Sequence, residues 1–261
     1  MTGDAGWLAP TWRIAGVGAL MTTRAGGVSS GAYASMNVGS AVGDDPARVA
    51  ENRRRFAAAI GARPVFLRQV HGARVVRIDA KDARDDRTIH EADASVTTAA
   101  GVACTVQAAD CLPVLLAARG GRAVGAAHAG WRGLAGGVVE AAVDAVGAAA
   151  GCAPSEISAW LGACIGADAF EVGADVLRSF AVDPDGALGG TGAALRFRPR
   201  GDGKWLADLP GLARDRLLAA GVRRVEGGTW CTVADASRFF SYRRDGTTGR
   251  MAAAIWIGAP R

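Results

Sequence analysis

From Ala94 to Ala127 the chain reads ASVTTAAGVACTVQAADCLPVLLAARGGRAVGAA, and this stretch decides the fold class. Four short apolar runs stand close together in it: Ala94–Thr98, Val102–Ala108, Leu112–Ala117 and Ala123–Ala127. Their length and the turn residues between them mark strands. Upstream, Val65–Val70 and Arg74–Asp79 extend the series, and Arg13–Arg24 has strand character before the turn Ala25-Gly26-Gly27. Asp44-Asp45-Pro46 reads as a helix start, with an acidic cap and proline in the first turn, and Gly61 as its stop. Val49, Phe56 and Ile60 recur at helical spacing between them. Downstream, Leu134–Ala150 reads as one helix ending at Gly151, Ile157–Leu161 as a strand and Ala174–Phe180 as a short helix. Gly186–Gly192 reads as a loop, Leu209–Ala220 as a helix, and Val222–Glu226 and Met251–Ile257 as strands. Runs of strands broken by isolated helices predict an α+β fold with mixed sheets, not a doubly wound one.

The chain has 261 residues, enough for a sizeable core, and no linker divides it, so residues 1–261 are expected to form a single domain. Half of the residues are hydrophobic and 21% are charged, the balance of a globular protein. No apolar run approaches the roughly 20 residues of a membrane helix. Met1–Pro10 has neither a basic start nor an apolar core, which argues against a signal peptide and for the cytoplasm. The net charge of +5 is spread over the whole chain, and Lys81 and Lys204 are its only lysines. The arginine excess reads as codon bias, and Arg53-Arg54-Arg55 as a solvated helix face, so no nucleic-acid partner is expected. Mild positivity would still attract an anionic substrate such as phosphate. The five cysteines (Cys104, Cys111, Cys152, Cys164, Cys231) show no paired rhythm and read as free thiols or metal ligands.

The three histidines can be weighed singly. His71, in Gln69-Val70-His71-Gly72, and His128, in Ala127-His128-Ala129-Gly130-Trp131-Arg132-Gly133, stand where strands run into glycine-flanked turns. Cys111, in Ala109-Asp110-Cys111-Leu112-Pro113, lies between two strands. His90 falls in a charged stretch with Asp85, Asp86, Arg87 and Glu91 and reads as an exposed loop residue. Two imidazoles and a thiolate form a Zn²⁺ ligand set with a fourth position left open. The plainer reading, hydrogen-bonded histidines and a packed cysteine, is favoured by chemistry alone, because the three lie far apart without a CxxC-like spacing. A third reading is a Cys111–His128 nucleophile pair for acyl transfer.

Several further motifs accompany these. They include Thr22-Thr23-Arg24-Ala25-Gly26-Gly27-Val28-Ser29, Ser35-Met36-Asn37-Val38-Gly39, Val42-Gly43-Asp44-Asp45 and Asn52-Arg53. Near the C-terminus stand Phe239-Phe240-Ser241-Tyr242-Arg243-Arg244-Asp245 and Thr248-Gly249-Arg250. In this order, over nearly the whole chain, they resemble the YfiH family of purine nucleoside phosphorylases, formerly called polyphenol oxidases (laccase-like) and also a peptidoglycan editing factor. The resemblance implies an α+β fold of layered mixed sheets flanked by helices, and zinc ligands at His71, Cys111 and His128. Two departures touch no ligand: Ala108 stands where the family has Thr, and Gly162-Ala163-Cys164-Ile165-Gly166 where it often has Gly-Pro-Cys-Ile-Gly.

The implied activities are phosphorolysis of adenosine, inosine and methylthioadenosine, with some adenosine deamination. The implied partners are therefore a purine nucleoside and phosphate. Phosphorolysis needs phosphate held in line with the anomeric carbon, a task for guanidinium forks. Arg24 and Arg53 are the candidates for phosphate, Asn37 and Gln69 for sugar or base; surface exposure and turn capping are the competing explanations. Arg132 and the Arg243-Arg244-Asp245 cluster are also in view, whereas Trp131, Phe239, Phe240 and Tyr242 read as packing and strand residues. Cys164 or Cys231 as a fourth ligand would close the site into a structural zinc staple. Three histidines cannot supply a multicopper laccase, although copper could enter the zinc site adventitiously.

Overall fold

The structure is a computed structural model that describes residues 6–84, 89–186 and 192–258. In chain order, strand β1 (Val17–Met21) leads to helix α1 (Pro46–Ile60). Asp45 caps α1 by accepting from the Ala47 N–H at 2.8 Å, and Gly61 ends it in the left-handed conformation, as its sequence implies. Strands β2 (Arg63–Phe66), β3 (Val75–Arg77), β4 (Ala94–Thr97), β5 (Val102–Ala108), β6 (Leu112–Ala118) and β7 (Val124–Ala129) follow. The expected helix from Leu134 to Ala150 is two helices, α2 (Trp131–Ala135) and α3 (Val138–Ala150). Gly137, at φ 91°, breaks them apart. Then come β8 (Ile157–Leu161), β9 (Glu171–Val172), α4 (Ala174–Ser179), β10 (Phe197–Gly201), β11 (Lys204–Ala207), α5 (Leu209–Ala219), β12 (Arg224–Gly227), α6 (Tyr242–Asp245) and β13 (Met251–Ile257).

Among the described residues three sheets result: β12-β8-β6-β7-β4-β3, β1-β13-β5-β2 and the small β10-β11-β9. The two large ones are mixed, since β12/β8, β3/β4 and β2/β5 pair in parallel and the other pairs are antiparallel. They pack face to face over Met21, Cys104, Val106, Leu115, Val124, Trp160 and Ile255. Helix α3 covers the outer face of the six-stranded sheet through Val139, Val143 and Val146 against Val96, Val114 and Leu116. Helix α1 covers the four-stranded sheet with Phe56 and Ile60 on Ala103, Ala252 and Ala254. The fold is α+β, with layered mixed sheets flanked by helices.

This layering explains the unbroken apolar runs. In β13, Met251, Ala253 and Ile255 face the other sheet while Ala252 and Ala254 face α1, so both sides of the pleat are buried. Three expectations need correction. The small sheet is absent from the apolar pattern because β10 is exposed beyond Phe197, and β11 and β9 are only four and two residues long. Phe239 and Phe240 are buried but not in a strand, and Tyr242 opens α6 with its side chain 61% exposed. His90 is half-buried and bonds Asp82 at 2.6 Å rather than lying open. The expected Gly186–Gly192 loop falls mostly outside the described residues, as do Asp85, Asp86 and Arg87 and the first half of Met1–Pro10. Among the described residues no helix is long and apolar enough to cross a membrane.

Candidate metal centre

His71, in the loop between β2 and β3 rather than at a strand end, meets Cys111, in the β5–β6 turn, and His128, near the end of β7, with one potential ligand atom from each lying within 4.8 Å of the others. Cys111 Sγ is 3.9 Å from His71 Nε2, and the two imidazole rings stand edge to face with centroids 4.9 Å apart. His71 is exposed, Cys111 half-buried and His128 buried, so the cluster opens on one side to solvent. Tetrahedral zinc with bonds of about 2.0–2.3 Å needs its ligand atoms some 3.3–3.6 Å apart, a slight contraction of this arrangement. The donor set fits a metal. Neither Cys164 nor Cys231 joins the group, so no cysteine among the described residues closes it into a four-ligand staple.

Each ligand has an identifiable support. Asp93, fully buried, spreads its carboxylate under the His71 loop and accepts from the N–H groups of Val70 (3.1 Å), His71 (2.9 Å) and Gly72 (2.7 Å). The same carboxylate takes the Nδ1–H of His128 at 2.9 Å. Because a carboxylate only accepts, this bond puts the proton on Nδ1 and leaves the Nε2 lone pair for the cluster. Cys111 follows Asp110, held at φ 97°, a left-handed conformation that Asp tolerates better than most residues. Asp110 is pinned by the Thr232 hydroxyl (2.5 Å) and the Arg243 N–H (2.7 Å), and its carbonyl accepts from Ile165 at 2.9 Å.

Two glycines make room. A Cβ on Gly130 would lie 2.9 Å from Cys111 Sγ and 3.0 Å from His71 Cδ2. A Cβ on Gly133 would lie 2.8 Å from the Gly72 carbonyl, so helix α2 sits directly against the His71 loop.

Electrostatics separates Cys111 from the other thiols. Burial alone would raise it, but the charge of His128 and hydrogen bonds from His128 and His71 bring it down to about 6. Burial likewise works against a charged His128, yet the Cys111 thiolate and Asp93 carry it up to about 9. Burial pushes the Cys104 thiol up to about 12 and Cys164 well above its ordinary value, leaving both inert. Asp93 stays below the usual carboxylate range: burial opposes this, and His128 with the Gly72 and Val70 amides overcomes it.

The residues expected to hold substrate are placed differently. Asn37 is fully buried; its Oδ1 accepts from the N–H groups of Gly39 and Arg250 (2.8 Å each) and its Nδ2 donates to Asp44 at 2.9 Å and to the Gly39 carbonyl at 3.2 Å. Gln69 bonds both backbone groups of Gln107, at 2.8 and 2.7 Å. Both side chains make these bonds within the chain. Arg53 bonds the Val38 carbonyl at 2.9 Å and stacks on Phe66, and Arg24 bonds the carbonyls of Ala34 and Ala236 at 3.0 and 2.9 Å. These two guanidinium groups brace loops. Arg132 lies over the Trp131 ring at 4.3 Å, and Arg244 grips Asp245 with two bonds of 2.7 Å. Asp93 was the residue that sequence reasoning missed; its one local signal is an acidic residue directly before an apolar strand.

Residues 18–258 match the family model described as multi-copper polyphenol oxidoreductase laccase. The chain belongs to that family, the YfiH family. Within it, a Pseudomonas aeruginosa protein named purine nucleoside phosphorylase is 46% identical over 253 residues, covering 96% of this chain and 98% of its own. Purine nucleoside phosphorylase YfiH of Escherichia coli strain K12 is 46% identical over 254 residues, with the same coverage. Among solved structures, a Neisseria meningitidis family member superposes with a TM-score of 0.87 at 47% identity, covering 97% of this chain and 99% of its own. YlmD of Geobacillus stearothermophilus reaches the same TM-score at 37% identity, covering 97% of each chain. The laccase wording of the family's description meets a limit here: with His90 bonded to Asp82, two histidines remain for metal, too few for a multicopper cluster.

Proposed function

We propose that the chain is a zinc-dependent purine nucleoside phosphorylase, converting adenosine, inosine and methylthioadenosine with phosphate into free base and the corresponding ribose 1-phosphate. The observation that carries this reading is the convergence of His71, Cys111 and His128 on one open rim, in a chain 46% identical to proteins named for that activity. In the reaction the bond from C1′ to the base nitrogen breaks, a phosphate oxygen bonds C1′, and the base leaves with the electron pair and takes up a proton. Zinc bound by these three residues would supply Lewis-acid charge beside the substrate. Asp93 fixes the imidazole of His128 in the tautomer that faces the cluster and holds the His71 loop in register with it. The same Lewis-acid charge would suit a minor adenosine deaminase activity. The family match over residues 18–258 supports reading the whole chain as one catalytic unit.

A second reading has a specific observation behind it. Cys111, His128 and Asp93 also form the Cys-His-Asp series of an amide hydrolase. That reading leaves His71 without a task, so the His71→Ala variant separates the two. The deciding experiment incubates zinc-loaded protein with each nucleoside, with and without phosphate, and follows free base by chromatography. Phosphate-dependent base release, lost in Cys111→Ala and in His71→Ala, is expected. No base from any nucleoside overturns the phosphorylase, and amide hydrolysis that survives both zinc removal and His71→Ala establishes the hydrolase instead.

A further inference from the structure

Phosphorolysis requires a cation for phosphate, and the two arginines expected from the sequence, Arg24 and Arg53, bond the backbone carbonyls of neighbouring loops. Arg250 is differently placed. Strand β13 begins at Met251, which pairs with Ala108 at the end of β5, so Arg250 extends from the same sheet edge as Ala109-Asp110-Cys111. Its backbone N–H is held by the buried Asn37 side chain at 2.8 Å, and Gly39 leaves room for its stem, since a Cβ there would lie 2.8 Å from Arg250 Cγ. Nη1 donates to the carbonyls of Thr248 and Gly249, at 3.0 Å each, and the guanidinium carbon stands 5.8 Å from the centre of the Tyr242 ring. Tyr242 opens helix α6, whose next residue, Arg243, bonds the Asp110 carboxylate.

The guanidinium is thus fixed in position and yet incompletely used. Among the described residues Nε and Nη2 have no acceptor, and no carboxylate forms an ion pair with it. Its neighbour Asp110 is already spent on Thr232 and on the Arg243 amide. Burial lowers Arg250 from its ordinary value, while the negative charges of Cys111 and Asp110 act the other way, which sets it in electrostatic reach of the centre. The Nε and Nη2 edge is not shut away from solvent, so an anion can reach it and be held by charge-assisted hydrogen bonds. By contrast Arg243 is turned to the Glu171 carbonyl at 3.0 Å and Arg244 to Asp245.

We propose that Arg250 binds the phosphate co-substrate beside His71, Cys111 and His128, through the Nε and Nη2 edge of its guanidinium. The assignment rests on the phosphorylase reading for its purpose, and is tested separately from it. Inorganic phosphate is titrated calorimetrically into the zinc-loaded wild-type protein and its Arg250→Gln variant, each alone and with hypoxanthine present. Arg250→Gln is expected to weaken phosphate binding about 10- to 100-fold, the loss of charge-assisted hydrogen bonds, while Arg24→Gln and Arg53→Gln do not. In turnover, the KM for phosphate should rise by a similar factor with the KM for inosine within twofold, a split that a purely structural role would not produce. Circular dichroism and zinc content check that the variant is folded; should Arg250→Gln fail there, Arg250→Lys, which keeps the charge and loses the fork, is measured instead and should show a smaller loss in the same direction. Phosphate affinity unchanged in the folded variant, or no phosphate binding to wild type under either condition, overturns the assignment. Base release with an unchanged phosphate KM overturns this assignment alone; absent base release with Arg250-dependent phosphate binding overturns the phosphorylase and leaves the anion site standing.

Discussion

Asp93 shows how much one buried carboxylate organises. It accepts three backbone amides of the His71 loop and the imidazole of His128, tying together two ligands from distant parts of the chain. Asp93→Asn would place an amide donor or a weaker acceptor against Nδ1 and loosen the loop. Zinc affinity, measured by competition with a chromogenic chelator, should fall about 10- to 100-fold with the fold intact; an unchanged affinity would mean that the ligands are held by other contacts. Cys111 makes a second prediction. Its thiol is lowered to about 6, so in metal-free protein the thiolate is present above that pH and is lost as pH falls through it. Alkylation by iodoacetamide should then be half-maximal near pH 6 rather than near the ordinary value of about 8.5. Zinc should protect the residue, and a rate still climbing through about pH 8 with no plateau before it would contradict the thiolate–imidazolium pairing.

Among the elements, α2 is short but closely fitted. Gly136 and Gly137 detach it from α3, which lets it turn at the end of β7 and lay Gly133 on the Gly72 carbonyl. Gly133→Ala adds a Cβ 2.8 Å from that oxygen, and the oxygen belongs to backbone that cannot swing away. The expected outcome is a displaced His71 loop, with weaker zinc binding and a lower melting temperature; crystallographic superposition with no loop shift would refute it. The periodic pattern of α1 was legible, because it buries one stripe against a sheet, and α3 was legible from its Ala- and Val-rich run ending at Gly151. The break at Gly137 was not, since a pair of glycines inside an Ala- and Val-rich run is compatible with a tolerated helix interior as well as with a hinge. The small sheet left little apolar signature because β9 and β11 are only two and four residues long and β10 is exposed beyond Phe197.

For the whole molecule, the number and place of the central strands followed from the sequence, as did helices α1, α4 and α5, because burial on both pleat faces leaves continuous apolar runs that only a layered interior accounts for. The sequence by itself also determined the chemistry on offer: three histidines, one of them in a charged stretch, and a cysteine beside a turn, arranged in motifs that mark a family. Only the tertiary structure decided which of these meet. Convergence of His71, Cys111 and His128 depends on two sheets stacking so that the β2–β3 loop, the β5–β6 turn and the end of β7 share one rim, a non-local outcome that no spacing encodes. It also set the partners of the polar residues: Asn37, Gln69, Arg24 and Arg53 bond other parts of the chain, whereas Asp93 accepts from the His71 loop and from His128. A side chain's type limits what it can bond, but its partners are set by which loops the packed sheets bring within hydrogen-bond distance.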